Sequence, residues 1–177
     1  MEDRKEMTVQ RTFSGSPWEE KTGYCRALRV GNQIFVSGTA PTDDNGKTFA
    51  PGDAYAQTRR CFEIVAAALE DLGSGLEDVV RTRLYITDVT HVEDFARAHK
   101  ELFADAPPVN TMVQVAQLVD PEMLVEVEVE VLLPQPESTL SRYDAMDFGR
   151  QRLLNHPVDP VTYPSPGSKE LDEGCLD

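Results

Sequence analysis

The sequence predicts an α+β fold. It is a two-layer sandwich in which a mixed β-sheet of about six strands carries two helices on one face. Three observations predict it. Val125, Val127, Val129, Val131 and Leu133 alternate without a break with Glu126, Glu128 and Glu130, the period of a strand with one apolar face. Phe62, Val65, Leu69 and Leu72 recur at helical spacing between 53 and 72, which marks a core-facing stripe. A second helical stretch, 90–103, is also bounded by strand-like runs. The chain therefore holds two strand–helix–strand units, and right-handed crossovers place both helices on the same side of the sheet.

The elements follow in order. Thr8 to Phe13 reads as a short edge strand, and Ser14-Gly15-Ser16-Pro17 as a loop. Tyr24 to Val30 and Ile34-Phe35-Val36 form a hairpin around Gly31-Asn32. Ser37-Gly38-Thr39 ends its second strand. Asp43-Asp44-Asn45-Gly46 is a loop tip rather than a calcium loop, because Thr48 and Ala54 stand where Gly and Glu are required. Asp53 caps the first helix, and Gly73 occupies its left-handed end. Val79 to Ile86 is a strand with Val80, Thr82, Leu84 and Ile86 on one face and Arg81, Arg83 and Tyr85 on the other. Thr90 and Glu93 make a capping box for the second helix. Phe95, Ala98, His99 and Leu102 line its inner side, and Ala106-Pro107-Pro108 stops it.

Pro108 to Leu133 then reads as two strands paired through the turn at Asp120-Pro121. In the first of them Val109, Thr111, Val113 and Val115 share the face that takes a helix, and Asn110, Met112, Gln114, Ala116 and Leu118 share the other. The uncovered face of the sheet would carry Arg81, Arg83, Tyr85, Asn110, Met112, Leu118 and the three glutamates. That is too much apolar surface for water and too much charge for a core. Symmetric association of several copies would bury it. Residues 1–134 make one domain. Residues 135–177 form an acidic, proline-containing extension, with a modest helical pattern over Ser141 to Leu154, expected to be partly disordered or packed on the assembly.

Composition narrows the function. The chain has 177 residues and a net charge of −14, which repels nucleic acid and anionic membrane. No run reaches the ~20 apolar residues of a membrane span, and the charged start MEDRKEMTVQR is not a signal peptide. Cys25, Cys61 and Cys175 are isolated, without a CxxC, so free thiols in a reducing cytoplasm are expected. No phosphate-binding loop, nucleophile elbow or HExxH occurs. His91, His99 and His156 have no ligand spacing, so neither a metal nor a cofactor is expected. His99 is read either as a satisfied structural histidine or as a residue at a cleft. Cys25 is read as a small buried hydrophobe before a nucleophile. Arg81 and Arg83 are expected to pair with Glu126 or Glu128. The glutamate row is either a solvated face or the wall of an interface cleft.

These residues resemble a known family. Tyr24, the strand end Ile34-Phe35-Val36-Ser37-Gly38, Asp94-Phe95-Ala96, the strand from Pro108 to Val115, and Leu124-Val125-Glu126-Val127-Glu128 are similar to the Rid (YjgF) family of reactive intermediate deaminases. The match runs from about residue 8 to 133. The resemblance implies a chorismate-mutase-like fold, a homotrimer with clefts between subunits, and hydrolysis of reactive imines or enamines. By the same resemblance Tyr24 and Glu126 are the catalytic candidates. Ser37, Gly38, Asn110 and Met112 are the substrate-binding candidates, and His99 joins them from its own reading as a residue at a cleft. Asn110 stands where deaminase members carry arginine, and Met112 where many carry cysteine. Leu118 to Glu126 is one residue longer than in the founding group. A divergent subgroup is therefore implied, acting on a small neutral or cationic molecule and not an efficient 2-imino acid deaminase. The alternative is a non-catalytic trimer that binds a metabolite or partner in the same clefts. An RNA-cleaving role, sometimes attached to this family, fits poorly with the charge.

Overall fold

A computed structural model describes residues 8–134. The expected C-terminal extension, with His156 and Cys175, lies outside the described residues. The elements are β1 (Val9–Thr12), α1 (Pro17–Thr22), β2 (Ala27–Val30), β3 (Gln33–Thr39), α2 (Ala54–Asp71), β4 (Val79–Ile86), α3 (Val92–Leu102), β5 (Val109–Gln114) and β6 (Val125–Leu132). The strands form one mixed sheet of six in the order β1-β2-β3-β6-β4-β5. β4 and β5 are parallel, and the remaining pairs are antiparallel. The two-layer α+β architecture is the one expected. No helix among the described residues is long and apolar enough to cross a membrane.

The core lies between the sheet and α2 and α3. Phe62, Val65 and Leu69 of α2 are fully buried against Ile34 of β3, Leu84 of β4 and Val125, Val127 and Val129 of β6. Each such side chain contributes about 2 kcal/mol through removal from water. Asp53 caps α2 by accepting from Ala56 N at 2.9 Å. Buried Gln57 ties the loop before β6 to α2, donating to Glu122 O at 2.9 Å and accepting from Leu124 N at 2.7 Å.

Four local expectations are corrected. β5 and β6 are not neighbours, because β4 lies between them. The β4–α3–β5 crossover sets β5 parallel to β4 on its outer side. The Asp120 loop then returns the chain to the other side of β4, where β6 is paired on both edges. A central position suits the unbroken valine row of β6.

The faces of β5 are also exchanged. Parallel register sets Asn110 beside Thr82 and Met112 beside Leu84, and Thr82 and Leu84 are buried under the helices. Asn110 and Met112 therefore stand on the covered side. Val109 and Val113 stand on the open side with Arg81 and Tyr85.

A register slip between Val79 and Arg81 buries Val79 and leaves Val80 exposed, reversing the expected face of Val80. The Thr90–Glu93 capping box does not form. Asp88 accepts from Thr90 N and Thr90 Oγ1 instead, and a 3-10 turn, Val89–His91, leads into α3. One further helix, α1, was not expected. It opens with Ser16 as N-cap and Pro17 at its first position and closes on left-handed Gly23, the usual punctuation of a short helix.

Candidate active site

Tyr24 is placed by the end of α1. The N–H groups of Gly23 and Tyr24 both bond Glu19 O, at 2.9 and 3.1 Å, so the chain turns sharply and delivers Tyr24 beside β3. Ser37 is fixed there too, its Oγ donating to Cys25 O at 2.9 Å. Tyr24, Cys25 and Ser37 line one hollow of about 520 Å3, together with Phe35 and Leu28 of the open sheet face.

β3 slips register against β6 after Val36, pairing again only at Thr39 with Val127. This bulge carries Gly38. The Glu126 side chain packs against Gly38 so closely that a Cβ there would overlap Oε1. A side chain at this point would have to displace the carboxylate.

The three glutamates of β6 divide. Arg83 donates to Glu130 Oε1 at 2.8 Å and to Glu128 Oε2 at 3.4 Å. Tyr85 donates to Glu128 Oε2 at 3.0 Å, and Arg81 lies 3.8 Å from Glu130. Glu126 has no hydrogen-bond or ion-pair partner among the described residues. Of the two partners expected for Arg81 and Arg83, Glu128 is held by Arg83 and Glu126 by neither, and both arginines also pair with Glu130. Burial raises the pKa of Glu126 above the usual carboxylate value, and Glu128 adds to the rise, while Arg26 pulls it down.

The remaining candidates form a separate group under α3. Asn110 Nδ2 donates to Thr82 Oγ1 at 2.8 Å, and Thr82 Oγ1 lies 2.9 Å from His99 Nε2. The hydroxyl accepts from Asn110 and keeps its own proton, and when it donates that proton to His99 Nε2 the imidazole is neutral. Burial lowers the pKa of His99 accordingly, and Phe103 and Phe62 flank the ring at 4.7 and 5.8 Å between centroids. Met112 packs on the same core. Within this chain, then, Tyr24, Ser37, Gly38 and Glu126 are gathered on the open side. His99, Asn110 and Met112 are gathered on the covered side. Cys61 is fully buried with its thiol pKa raised by burial, so it offers no thiolate.

Residues 16–133 match the family model described as Endoribonuclease L-PSP. The chain belongs to the Rid (YjgF) family. An uncharacterised protein of Streptomyces coelicolor is 40% identical over 122 residues, which are 69% of this chain and 90% of that one. The 3-aminoacrylate deaminase RutC of Acinetobacter baylyi is 33% identical over 104 residues, 59% of this chain and 82% of that one. The crystal structure of Rv2704, a YjgF/YER057c/UK114 family member from Mycobacterium tuberculosis, superposes with a TM-score of 0.65 at 36% identity. It covers 71% of this chain and all of that one. Rid membership agrees with the resemblance carried by Tyr24, Ser37-Gly38 and the β6 glutamates.

Sequence reasoning missed Arg26 and Thr82 as parts of these two groups. Thr82 was legible as a polar residue in an apolar row. Arg26 carried no signal beyond being a charge next to Tyr24.

Proposed function

We propose that this Rid-family chain is a hydrolase-type catalyst for a small reactive imine or enamine, acting as a homotrimer in clefts between subunits. Glu126 activates or orients water, and Tyr24 and Ser37 orient the substrate. The observation that supports this best is the unpaired, half-buried Glu126 carboxylate, whose raised pKa brings it closer to the working range of a general base. The deaminase named among the relatives supports the reaction class. The open sheet face supports association: Phe35, Val113, Leu132 and Val109 are 42%, 44%, 51% and 62% exposed on it.

The substrate is neutral or cationic. An arginine clamp on a carboxylate contributes roughly 2–3 kcal/mol in a shielded site. Asn110 offers no charge, and one of its two amide N–H groups is given to Thr82. Ammonia release from freshly generated 2-iminopropionate and from a neutral aliphatic imine tests the proposal. Turnover of the neutral imine that is lost in Glu126→Gln, with 2-iminopropionate hydrolysed slowly, is expected. Rapid 2-iminopropionate hydrolysis overturns the substrate class, and turnover that survives in Glu126→Gln overturns the mechanism.

A non-catalytic metabolite-binding trimer is the second reading. It is favoured by the separation of Asn110 and His99 from Glu126 within one protomer. Ligand-induced stabilisation without turnover would support it.

A further inference from the structure

We infer that Arg26 is a positioning residue of the Glu126 site, clamping the Ser37–Gly38 bulge from behind and setting a fixed positive charge at the back of the carboxylate. The inference rests on reading Glu126 as the reactive carboxylate.

Arg26 is 6% exposed. A buried guanidinium is costly unless its donors are met, so where they point is informative. Nη1 donates to Gly38 O at 3.0 Å and to Thr39 Oγ1 at 2.9 Å. These residues lie where β3 slips against β6. Gly38 is thus held on its carbonyl by Arg26 while its Cα carries the Glu126 carboxylate. Arg26 also lies 5.3 Å from the centroid of the Tyr24 ring. One cation therefore contacts Tyr24 and the bulge that Ser37 and Gly38 form.

The competing explanation is that Arg26 exists to neutralise buried Glu19. Its Nε is 3.7 Å from Glu19 Oε1, too long for a hydrogen bond, and has no hydrogen-bond partner. Glu19 is satisfied elsewhere, by Ser14 N at 3.0 Å, Ser14 Oγ at 2.7 Å and Gly15 N at 3.2 Å. The short, directed bonds of Arg26 go to the bulge. Its charge opposes the two effects that raise the Glu126 pKa. Because Nη1 is given to β3, to Gly38 O and Thr39 Oγ1, it acts on the carboxylate rather than on a substrate.

The test is a 13C NMR titration of the Glu126 side chain, assigned by the signal missing in Glu126→Gln. It compares the wild-type chain with Arg26→Met and with the double variant Glu19→Gln/Arg26→Met, which removes both buried charges. Loss of the cation is expected to raise the Glu126 midpoint in both variants. General loosening would admit water and lower it, so the direction separates positioning from a merely structural role. An unchanged or lowered midpoint overturns the inference. Failure of both variants to fold assigns Arg26 to the fold alone and also overturns it. The readout needs no substrate. If the midpoint rises and no substrate is ever turned over, the proposed function falls and the placement of Arg26 stands.

Discussion

A methyl group on Gly38 would overlap Glu126 Oε1 and lie 3.2 Å from Glu126 Cδ. The obstacle is the far end of a flexible side chain, and the backbone at Gly38 is not left-handed. Gly38→Ala should therefore fold with a near-normal melting temperature while turning the carboxylate away. A misplacement of about 1 Å costs on the order of 100-fold in a well-positioned site, so turnover of any substrate found should fall about 10- to 100-fold. Steady-state kinetics alongside circular dichroism would check this. Wild-type activity in the variant would show that the glycine serves something other than the glutamate.

Ionised Glu126 should cost stability at neutral pH. Its folded pKa is raised above the ordinary value of 4.5. The folded chain keeps this proton after the unfolded chain has released it, so stability is lost as pH rises through the folded midpoint. Glu126→Gln removes the ionisation. Its melting temperature at pH 7, at fixed protein concentration, should exceed that of the wild type. The difference should vanish as pH falls below 4.5. A variant less stable than wild type at pH 7 would show that Glu126 is a structural group.

The layers were legible because burial on one side imposes period on the sequence. The valines of β6 and the stripe Phe62, Val65 and Leu69 of α2 are buried where their spacing put them. Strand order was not legible, since alternation records which face is apolar and not which strand lies next. β5 shows the limit: both of its rows looked plausible for the core. The parallel register with β4 decided for Met112 beside Leu84. Of the candidate site, Tyr24, Ser37, Gly38 and Glu126 were recognised by pattern. The division of the glutamates into paired Glu128 and Glu130 and unpaired Glu126 needed side-chain geometry.

The chain from His99 through Thr82 to Asn110 should make stability acid-sensitive. Burial lowers the His99 pKa below 6.5. On acidification the unfolded chain takes up this proton first, so stability falls as pH drops below 6.5. His99→Gln should flatten that part of the profile. Thr82→Val keeps the shape but leaves His99 Nε2 and the Asn110 amide without their shared hydroxyl, at a cost of about 1–3 kcal/mol. Urea unfolding between pH 5 and 8 reads both effects. An acid limb that persists in His99→Gln would assign the sensitivity to other groups.

The open face of the sheet should be the association surface, and the site should depend on it. Val113 stands on edge strand β5 beside Tyr85, and Phe35 stands opposite Glu130 at the hollow that Tyr24 and Ser37 line. Val113→Asp and Phe35→Asp each put a charge where an apolar contact is expected, and in a closed ring the penalty recurs at every interface. Sedimentation should then show monomers at concentrations where the wild-type chain is oligomeric, with unchanged far-ultraviolet circular dichroism. The consequence for ligand binding is sharper for Val113→Asp, because Val113 does not line the Tyr24 hollow within its own protomer. If Val113→Asp abolishes both association and binding, the site is shared between copies. A monomer that still binds would confine the site to the Tyr24, Ser37 and Glu126 group of a single chain.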